Sequence, residues 1–293
     1  MPELPEVESL RLALAPCLVG RTVLRVDLHR RDILVAPGDP RGGFSRQRGP
    51  KRRRPARLDP ADLLRGLSIS RLDRRGKQLA IISAVPTERA LVVQLGMSGQ
   101  LLLSEPGART GQHDHVHASW VLDDGSRLLF RDPRRFGGLR AFSSLDDLHS
   151  HWAALGPDAL SVLPEQLAAA VAGSRRPIKS ALLDQAAIAG VGNIYADEAL
   201  FAAGVRPTRL ASRLGAAEIA RLASTIRHTL SCAVEAGGST LRDFLAPDGQ
   251  PGSYQNSHSV YGRAGLPCVT CATRLRSATV AQRTTVWCPH CQS

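Results

Sequence analysis

Residues 116–131 read VHASWVLDDGSRLLFR. Two runs rich in β-branched, aromatic and aliphatic residues flank Asp123-Asp124-Gly125, a turn signal of the kind that joins antiparallel strands. Similar runs lie outward on both sides, at 21–28, 66–72, 78–85, 90–103 and 138–142. Turn residues separate them, and no strand-helix alternation appears, so a parallel sheet is excluded. The expectation is an antiparallel β-sandwich or barrel. Ahead of it, Leu4, Val7, Leu10 and Leu14 recur at helical spacing. They predict an amphipathic helix that starts almost at residue 2 and is closed by Pro16 and Gly20.

The pattern changes near residue 144. Segments 144–153, 163–172, 177–186, 193–203 and 216–236 read as helices, broken at Gly156-Pro157, Gly190-Val191-Gly192-Asn193 and Gly204-Val205-Arg206-Pro207. A Gly-rich polar loop over about 245–259 leads into a cysteine segment, and no internal repeat is visible. The fold class expected is therefore α+β. A β-sandwich with an N-terminal helix occupies 1–143, a helical domain 144–258 and a cysteine hairpin 259–293.

A chain of 293 residues with 43% hydrophobic content can bury a core in each of two domains and still carry a small appendage. No apolar run is long enough for a membrane span, and the N-terminus carries no signal-peptide pattern. The expected location is the cytoplasm. The net charge of +12 points to a polyanionic partner. Eight of those positive charges fall between Arg41 and Arg57 with no acid among them, so the rest of the chain carries only +4. The 37–57 stretch reads as a solvated basic loop insertion that adds non-specific phosphate affinity. Of 38 basic residues only Lys51, Lys77 and Lys179 are lysines. Lysine can trade a proton where arginine cannot. Lys77, in Arg74-Arg75-Gly76-Lys77 between two strand-like runs, reads equally well as a surface cation or as a catalytic group.

Cys268, Cys271, Cys288 and Cys291 form a Cys-x2-Cys-x16-Cys-x2-Cys pattern. Two such knuckles on a hairpin are a strong zinc signal, and four thiolates close the coordination shell, so one zinc ion is expected in a structural role. Arg274, Arg276 and Arg283 lie on the hairpin, where they could contact phosphates. Cys17 and Cys232 are isolated and read as core thiols. At the other end, loss of Met1 would expose Pro2 as a secondary amine. An α-amino group has a pKa of about 8, so part of it is neutral at neutral pH and able to attack a sugar C1′. Glu3 and Glu6 flank it. By themselves they read as acids that satisfy the dipole of the first helical turn.

The opening, Met1-Pro2-Glu3-Leu4-Pro5-Glu6-Val7-Glu8, closely resembles the start of the formamidopyrimidine-DNA glycosylase family. The resemblance continues through Arg74-Arg75-Gly76-Lys77, Leu95-Gly96-Met97-Ser98-Gly99, His113-Asp114-His115-Val116 and Asp132-Pro133-Arg134-Arg135-Phe136-Gly137. It resumes at Leu155-Gly156-Pro157, at 188–198, at 237–244 and at Val260-Tyr261-Gly262-Arg263, and it ends in the cysteine segment. The blocks follow in order along nearly the whole chain.

The resemblance implies a β-sandwich, a helix–two-turn–helix domain with a lesion-capping loop, and a zinc finger. The implied partner is double-stranded DNA with damaged bases, met by a monomer. The implied reaction is removal of an oxidised purine, 8-oxoguanine or a formamidopyrimidine, followed by β,δ-elimination at the abasic site. Carried over by motif, Pro2 is the nucleophile that forms the Schiff base and Glu3 is the acid that assists sugar-ring opening. Lys77 is the proton donor in β-elimination, and Arg283 is the residue assigned to δ-elimination. Arginine is a poor proton donor, so a bidentate clamp on phosphate is the physical role expected of Arg283. Met97, Arg134 and Phe136 match the residues that fill the gap left by a flipped nucleotide. Arg134 matches the reader of the orphaned cytosine. His113, Asn193 and Arg175 are further DNA contacts, Arg175 lying beside Ser174 where a lysine is usual.

Apart from the family, Met97 and Phe136 would read as core residues, and His113, His115 and His117 as neighbours on a strand face. Gln94 and His117 depart from the family, which usually has a histidine and often an acid there. Two other readings compete: an endonuclease VIII-like glycosylase for oxidised pyrimidines, and a non-enzymatic lesion-binding protein.

Overall fold

The computed structural model describes residues 2–35, 60–86, 88–107, 114–240, 246–247 and 249–293. The 37–57 basic tract, His113 and part of the expected capping loop lie outside the described residues. The chain forms two compact units. The first contains Pro2, Glu6–Trp152 and Ser239–Gly252, and the second Glu3–Pro5, Ala153–Gly238 and Ser253–Ser293.

In the first unit, helix α1 (Leu4–Leu18) leads into eight strands: β1 (Val23–Leu28), β2 (Ile69–Arg75), β3 (Gln78–Ser83), β4 (Ala90–Gln94), β5 (Gln100–Ser104), β6 (Val116–Leu122), β7 (Arg127–Arg131) and β8 (Gly138–Phe142). They make two four-stranded antiparallel sheets, ordered β1-β6-β7-β5 and β2-β3-β4-β8. The sequence 116–131 is the β6–β7 hairpin, with Trp120 opposite Leu128. Inward residues of both sheets, among them Trp120, Phe130, Leu101, Leu72, Ile81 and Val93, share one core with Val7, Leu10, Leu14 and Leu18 of α1. Each fully buried side chain of this kind is worth about 1.5–3 kcal/mol of transfer free energy. Strand β3 is buried at every position. Its other face, Ala80 and Ile82, packs on Leu148 of α2 (Leu145–Trp152), which explains its unbroken apolar run.

Three sequence expectations are corrected. Helix α1 runs through Pro16 to Leu18, so the buried stripe of Leu10, Leu14 and Leu18 is kept at the cost of the one hydrogen bond that Pro16 cannot donate to the preceding turn. The run 90–103 is two strands, broken by a turn at 95–99 in which Gly96 has a φ of 62°. Cys17 is exposed, not a core thiol, since it sits one position and about 100° from the buried stripe ending at Leu18. Cys232 is half-buried.

The second unit holds α3 (Pro164–Val171), α4 (Ile178–Leu182), α5 (Asn193–Ala202), α6 (Ala216–Glu235) and the hairpin β9 (Arg276–Val280) and β10 (Arg283–Trp287). Helix α5 is buried from Ile194 to Leu200, and α6 lays Leu222, Ile226 and Leu230 against the same core. The turn 190–192 that joins α4 to α5 needs its glycines. Gly190 has a φ of 114°, and a Cβ there would lie 2.2 Å from Leu4 Cδ1. Among the described residues, no helix is long and apolar enough to cross a membrane.

Candidate active site

In the second unit, Glu3 lies at the N-terminus of α5. Its Oε1 accepts the Ile194 N–H at 3.1 Å, and the carboxyl group packs so closely on Gly192 that a Cβ there would sit 2.2 Å from Glu3 Cδ. Glu3 therefore satisfies the end of a helix far along the chain. Its neighbours are fixed by α5. Asn193 Nδ2 donates to Thr284 O at 3.2 Å. Asp197 Oδ2 accepts the Val286 N–H at 3.1 Å, and Glu198 accepts the N–H groups of Ser259, Val260 and Tyr261 at 2.8–2.9 Å. Helix α5 thus holds both β10 and the segment that precedes the cysteines.

Lys179, on α4, completes this anchorage. It is fully buried and donates to Thr285 Oγ1 at 2.8 Å and to Thr284 O at 3.2 Å, and it pairs with Asp197 at 2.8 Å. Burial pushes Lys179 below the usual lysine range against the pull of Asp197, and pushes Asp197 up to about 6. In the sequence Lys179 stands out only as a rare lysine, and Asp197 and Glu198 carry no assigned role. Two acids inside the apolar run of α5 were the available signal.

Arg283 opens β10 at the hairpin tip and is exposed. Ala281 and Gln282 form the two-residue turn before it, both with positive φ, 48° and 58°. Non-glycine residues seldom adopt that conformation. The four cysteine sulfurs lie within 4.8 Å of one another, with Cys268–Cys291 at 4.0 Å and Cys271–Cys288 at 3.5 Å. Four sulfurs about 2.3 Å from one ion would be about 3.8 Å apart, so the set fits tetrahedral zinc. Disulfides would need about 2.05 Å. Backbone N–H groups of Thr270 and Cys291 point at Cys268 and Cys288 sulfurs, each at 3.4 Å. Among the described residues, which include His115 and His117 but not His113, only the cysteines cluster suitably for a metal. Arg175 is exposed between α3 and α4, next to the half-buried Ser174.

In the first unit, Pro2 is buried and Lys77 is half-buried in the β2–β3 turn. That turn is braced: Arg74 donates to Glu8 Oε2 at 2.7 Å and to Gly76 O at 3.0 Å, and Arg11 holds the same carboxylate. Burial works against the Glu8 charge, yet the two guanidinium groups win and hold it below the usual carboxylate range. Glu6 accepts the Ser239 N–H at 2.7 Å. Met97 is 36% exposed, Arg134 is exposed, and the Arg134 guanidinium lies 5.0 Å over the Phe136 ring. Neither Met97 nor Phe136 is a core residue. Gln94 stands opposite Gln78 across β3 and β4, and Gln78 Oε1 is taken by Trp152 Nε1 at 2.9 Å.

A proline at position 2 ahead of a β-sandwich, a helix–two-turn–helix unit and a four-cysteine hairpin together define a class of three-part zinc-finger chains. Family models match each part: the formamidopyrimidine-DNA glycosylase N-terminal domain over residues 1–139, its H2TH domain over 155–245, and the zinc finger found in FPG and IleRS over 265–293. The chain belongs to the formamidopyrimidine-DNA glycosylase family. It is 42% identical to the formamidopyrimidine-DNA glycosylase of Stenotrophomonas maltophilia (strain K279a), with all of both chains covered. Among solved structures it is similar to the MutM (Fpg) protein of Thermus thermophilus, with a TM-score of 0.80 and 40% identity over 99% of this chain and 98% of that one. It is also similar to a point mutant of Lactococcus lactis FPG in complex with Fapy-dG-containing DNA, with a TM-score of 0.83 and 27% identity over the full length of both.

Proposed function

We propose that this chain is a bifunctional DNA glycosylase and abasic-site lyase of base excision repair that removes oxidised purines from double-stranded DNA. Family membership over the full chain supports the reaction class. The observation that carries the residue assignment is Glu3, buried and locked on the α5 N-terminus, directly following Pro2 in the chain.

Once Met1 is removed, the Pro2 secondary amine attacks C1′ of the flipped nucleotide, and the bond from C1′ to the base nitrogen breaks, the base leaving with that electron pair and taking up the amine proton. Glu3 supplies the proton that O4′ takes up as the sugar ring opens, which leaves an iminium link between Pro2 and C1′. A C2′ proton then passes to water, its electron pair forms the C2′=C3′ double bond, and the C3′–O bond breaks as Lys77 gives a proton to the departing 3′ phosphate. A second elimination expels the 5′ phosphate. Arg283 and Asn193 clamp phosphate oxygens, the former as a fixed cation, and Arg175 and His113 add contacts to the DNA backbone. Met97, Arg134 and Phe136 fill the gap, and Arg134 hydrogen-bonds the orphaned cytosine. Cys268, Cys271, Cys288 and Cys291 would hold zinc, which would supply only the rigidity of the hairpin. All these groups lie on one chain, so the reaction needs no second subunit, and the enzyme is read as a monomer that acts in the cytoplasm on nucleoid DNA.

Borohydride reduction during turnover of an 8-oxoguanine:cytosine duplex tests the assignment. A covalent adduct is expected with the wild type and none with Pro2→Gly. An adduct in that variant would remove Pro2 as nucleophile. Faster excision of thymine glycol than of 8-oxoguanine would move the substrate class to oxidised pyrimidines.

A further inference from the structure

The turns that carry Met97 and Arg134 are tied together by a buried carboxylate that the reaction does not use. Asp132 has no exposed surface. Its Oδ1 accepts the Ser98 hydroxyl at 2.6 Å and its Oδ2 accepts the Gly137 N–H at 2.7 Å. Ser98 Oγ in turn accepts the Arg134 N–H at 3.1 Å. One hydrogen-bonded bridge therefore joins the 95–99 turn to the 132–137 turn and ends on the backbone of Arg134. The packing between the turns leaves no slack. A Cβ on Gly96 would lie 2.4 Å from Gly137 N, and one on Gly137 would lie 2.6 Å from Gln94 O.

His117 braces the bridge from behind. The β6–β7 register shifts between Val116 and Ala118, so His117 sits in a β-bulge, and its side chain is buried. A bulge re-aims a side chain that regular alternation would send elsewhere. Here it puts Nε2 2.8 Å from Asp132 O. A carbonyl only accepts, so the ring carries its proton on Nε2. Asp132 O also receives the Arg135 N–H at 3.2 Å, and Asp132 N donates to His115 O at 3.0 Å. The backbone and carboxylate of Asp132 are thus fixed at all four polar atoms. A buried carboxylate held this fully is a rigid anchor, because any displacement leaves a charge without its partners.

We propose that Asp132, acting through Ser98 and braced by His117, is a positioning residue for discrimination of the base opposite the lesion. It fixes the Arg134 backbone, and with it the exposed guanidinium and the neighbouring Met97 turn, in the geometry that reads the orphaned base. This rests on the role given to Arg134 above.

The test uses the full-length zinc-loaded protein. Single-turnover excision of 8-oxoguanine is measured opposite cytosine and opposite adenine, together with borohydride trapping on a preformed abasic site. Ser98→Ala is expected to lower the cytosine-to-adenine ratio about three- to tenfold, the value of one hydrogen bond, with trapping within about twofold of wild type. Asp132→Asn, which keeps the shape but cannot accept at both side-chain positions, moves the ratio the same way. Arg134→Ala gives the fully relaxed ratio, and adding Ser98→Ala to it causes no further loss. If Arg134→Ala collapses the ratio and Ser98→Ala leaves it intact, the positioning role is overturned alone. If Arg134→Ala leaves it intact, the reading of Arg134 falls and the proposal falls with it. Equal losses in the ratio and in trapping make the network a general folding device, which also overturns the proposal.

Discussion

Lys179 Nζ lies 2.8 Å from Asp197 Oδ1, and neither side chain has any exposed surface. Burial outweighs their attraction, since Asp197 is pushed up to about 6 and Lys179 is pushed down. Such a pair adds little net stability. Its use is positional: Lys179 grips Thr284 and Thr285, and Asp197 grips the Val286 N–H, so the two together dock the strand that Arg283 opens. Lys179→Met alone is expected to cost about 3–5 kcal/mol, because it strands a buried carboxylate. Lys179→Met with Asp197→Leu recovers part of that loss, since no charge is left buried but the Val286 N–H loses its acceptor. Urea unfolding of the four-member cycle reads the coupling, and additive losses would mean that the two residues act independently.

Gly192 gives a sharper test of Glu3. A Cβ at residue 192 would lie 2.2–2.5 Å from the Glu3 carboxyl atoms, so Gly192→Ala must move that group. Base excision should fall about 100-fold or more, the lower range for removal of a positioned general acid. Trapping on a preformed abasic site should suffer less, because the base has already gone. Equal losses in the two assays would separate Glu3 from base release.

Glu8 makes stability depend on pH. Its folded-state pKa is depressed by Arg11 and Arg74 despite burial. The contribution is therefore complete above the unfolded value of about 4.5 and is lost as pH falls through the lower folded value. Glu8→Gln should be less stable than wild type at neutral pH, and the difference should shrink below about pH 4.5. Melting of both proteins from about pH 7 to about pH 3 measures this. A constant gap would show that the Glu8 charge has no part in bracing the Lys77 turn.

The β6–β7 hairpin, the helices of the second unit and the cysteine set were legible because each is specified by neighbours in sequence. Trp120 and Leu128 face each other across a turn that Asp124 and Gly125 announce. What stayed hidden depends on distant partners. Glu3 meets Ile194 N across 191 positions, and Lys179 meets Thr285 across 106. The sequence signal for a buried ion pair is also that of two surface charges. Apolar continuity concealed the break at 95–99, where Gly96 supplies the left-handed turn. The alternation of His113, His115 and His117 misleads for a related reason. A bulge at His117 and a φ of 70° at His115 bury one side chain and expose the other.

Removal of zinc should disable DNA binding without unfolding the β-sandwich. The cysteines bracket a hairpin whose β9 residues are exposed apart from Val280, so little apolar burial holds it together. Ligation supplies the folding free energy of such small elements. The sandwich has its own two-sheet core. The three tryptophans separate the parts: Trp120 and Trp152 lie in the first unit, whereas Trp287 is buried next to Cys288. Chelation of the Trp287-containing wild type should red-shift its emission. A Trp287→Phe variant, reporting only on the first unit, should show no change. Affinity for an abasic-site duplex should fall in parallel with the Trp287 signal. Tight binding that survives zinc loss would show that Arg283 needs neither the hairpin nor its docking on α5 to find phosphate.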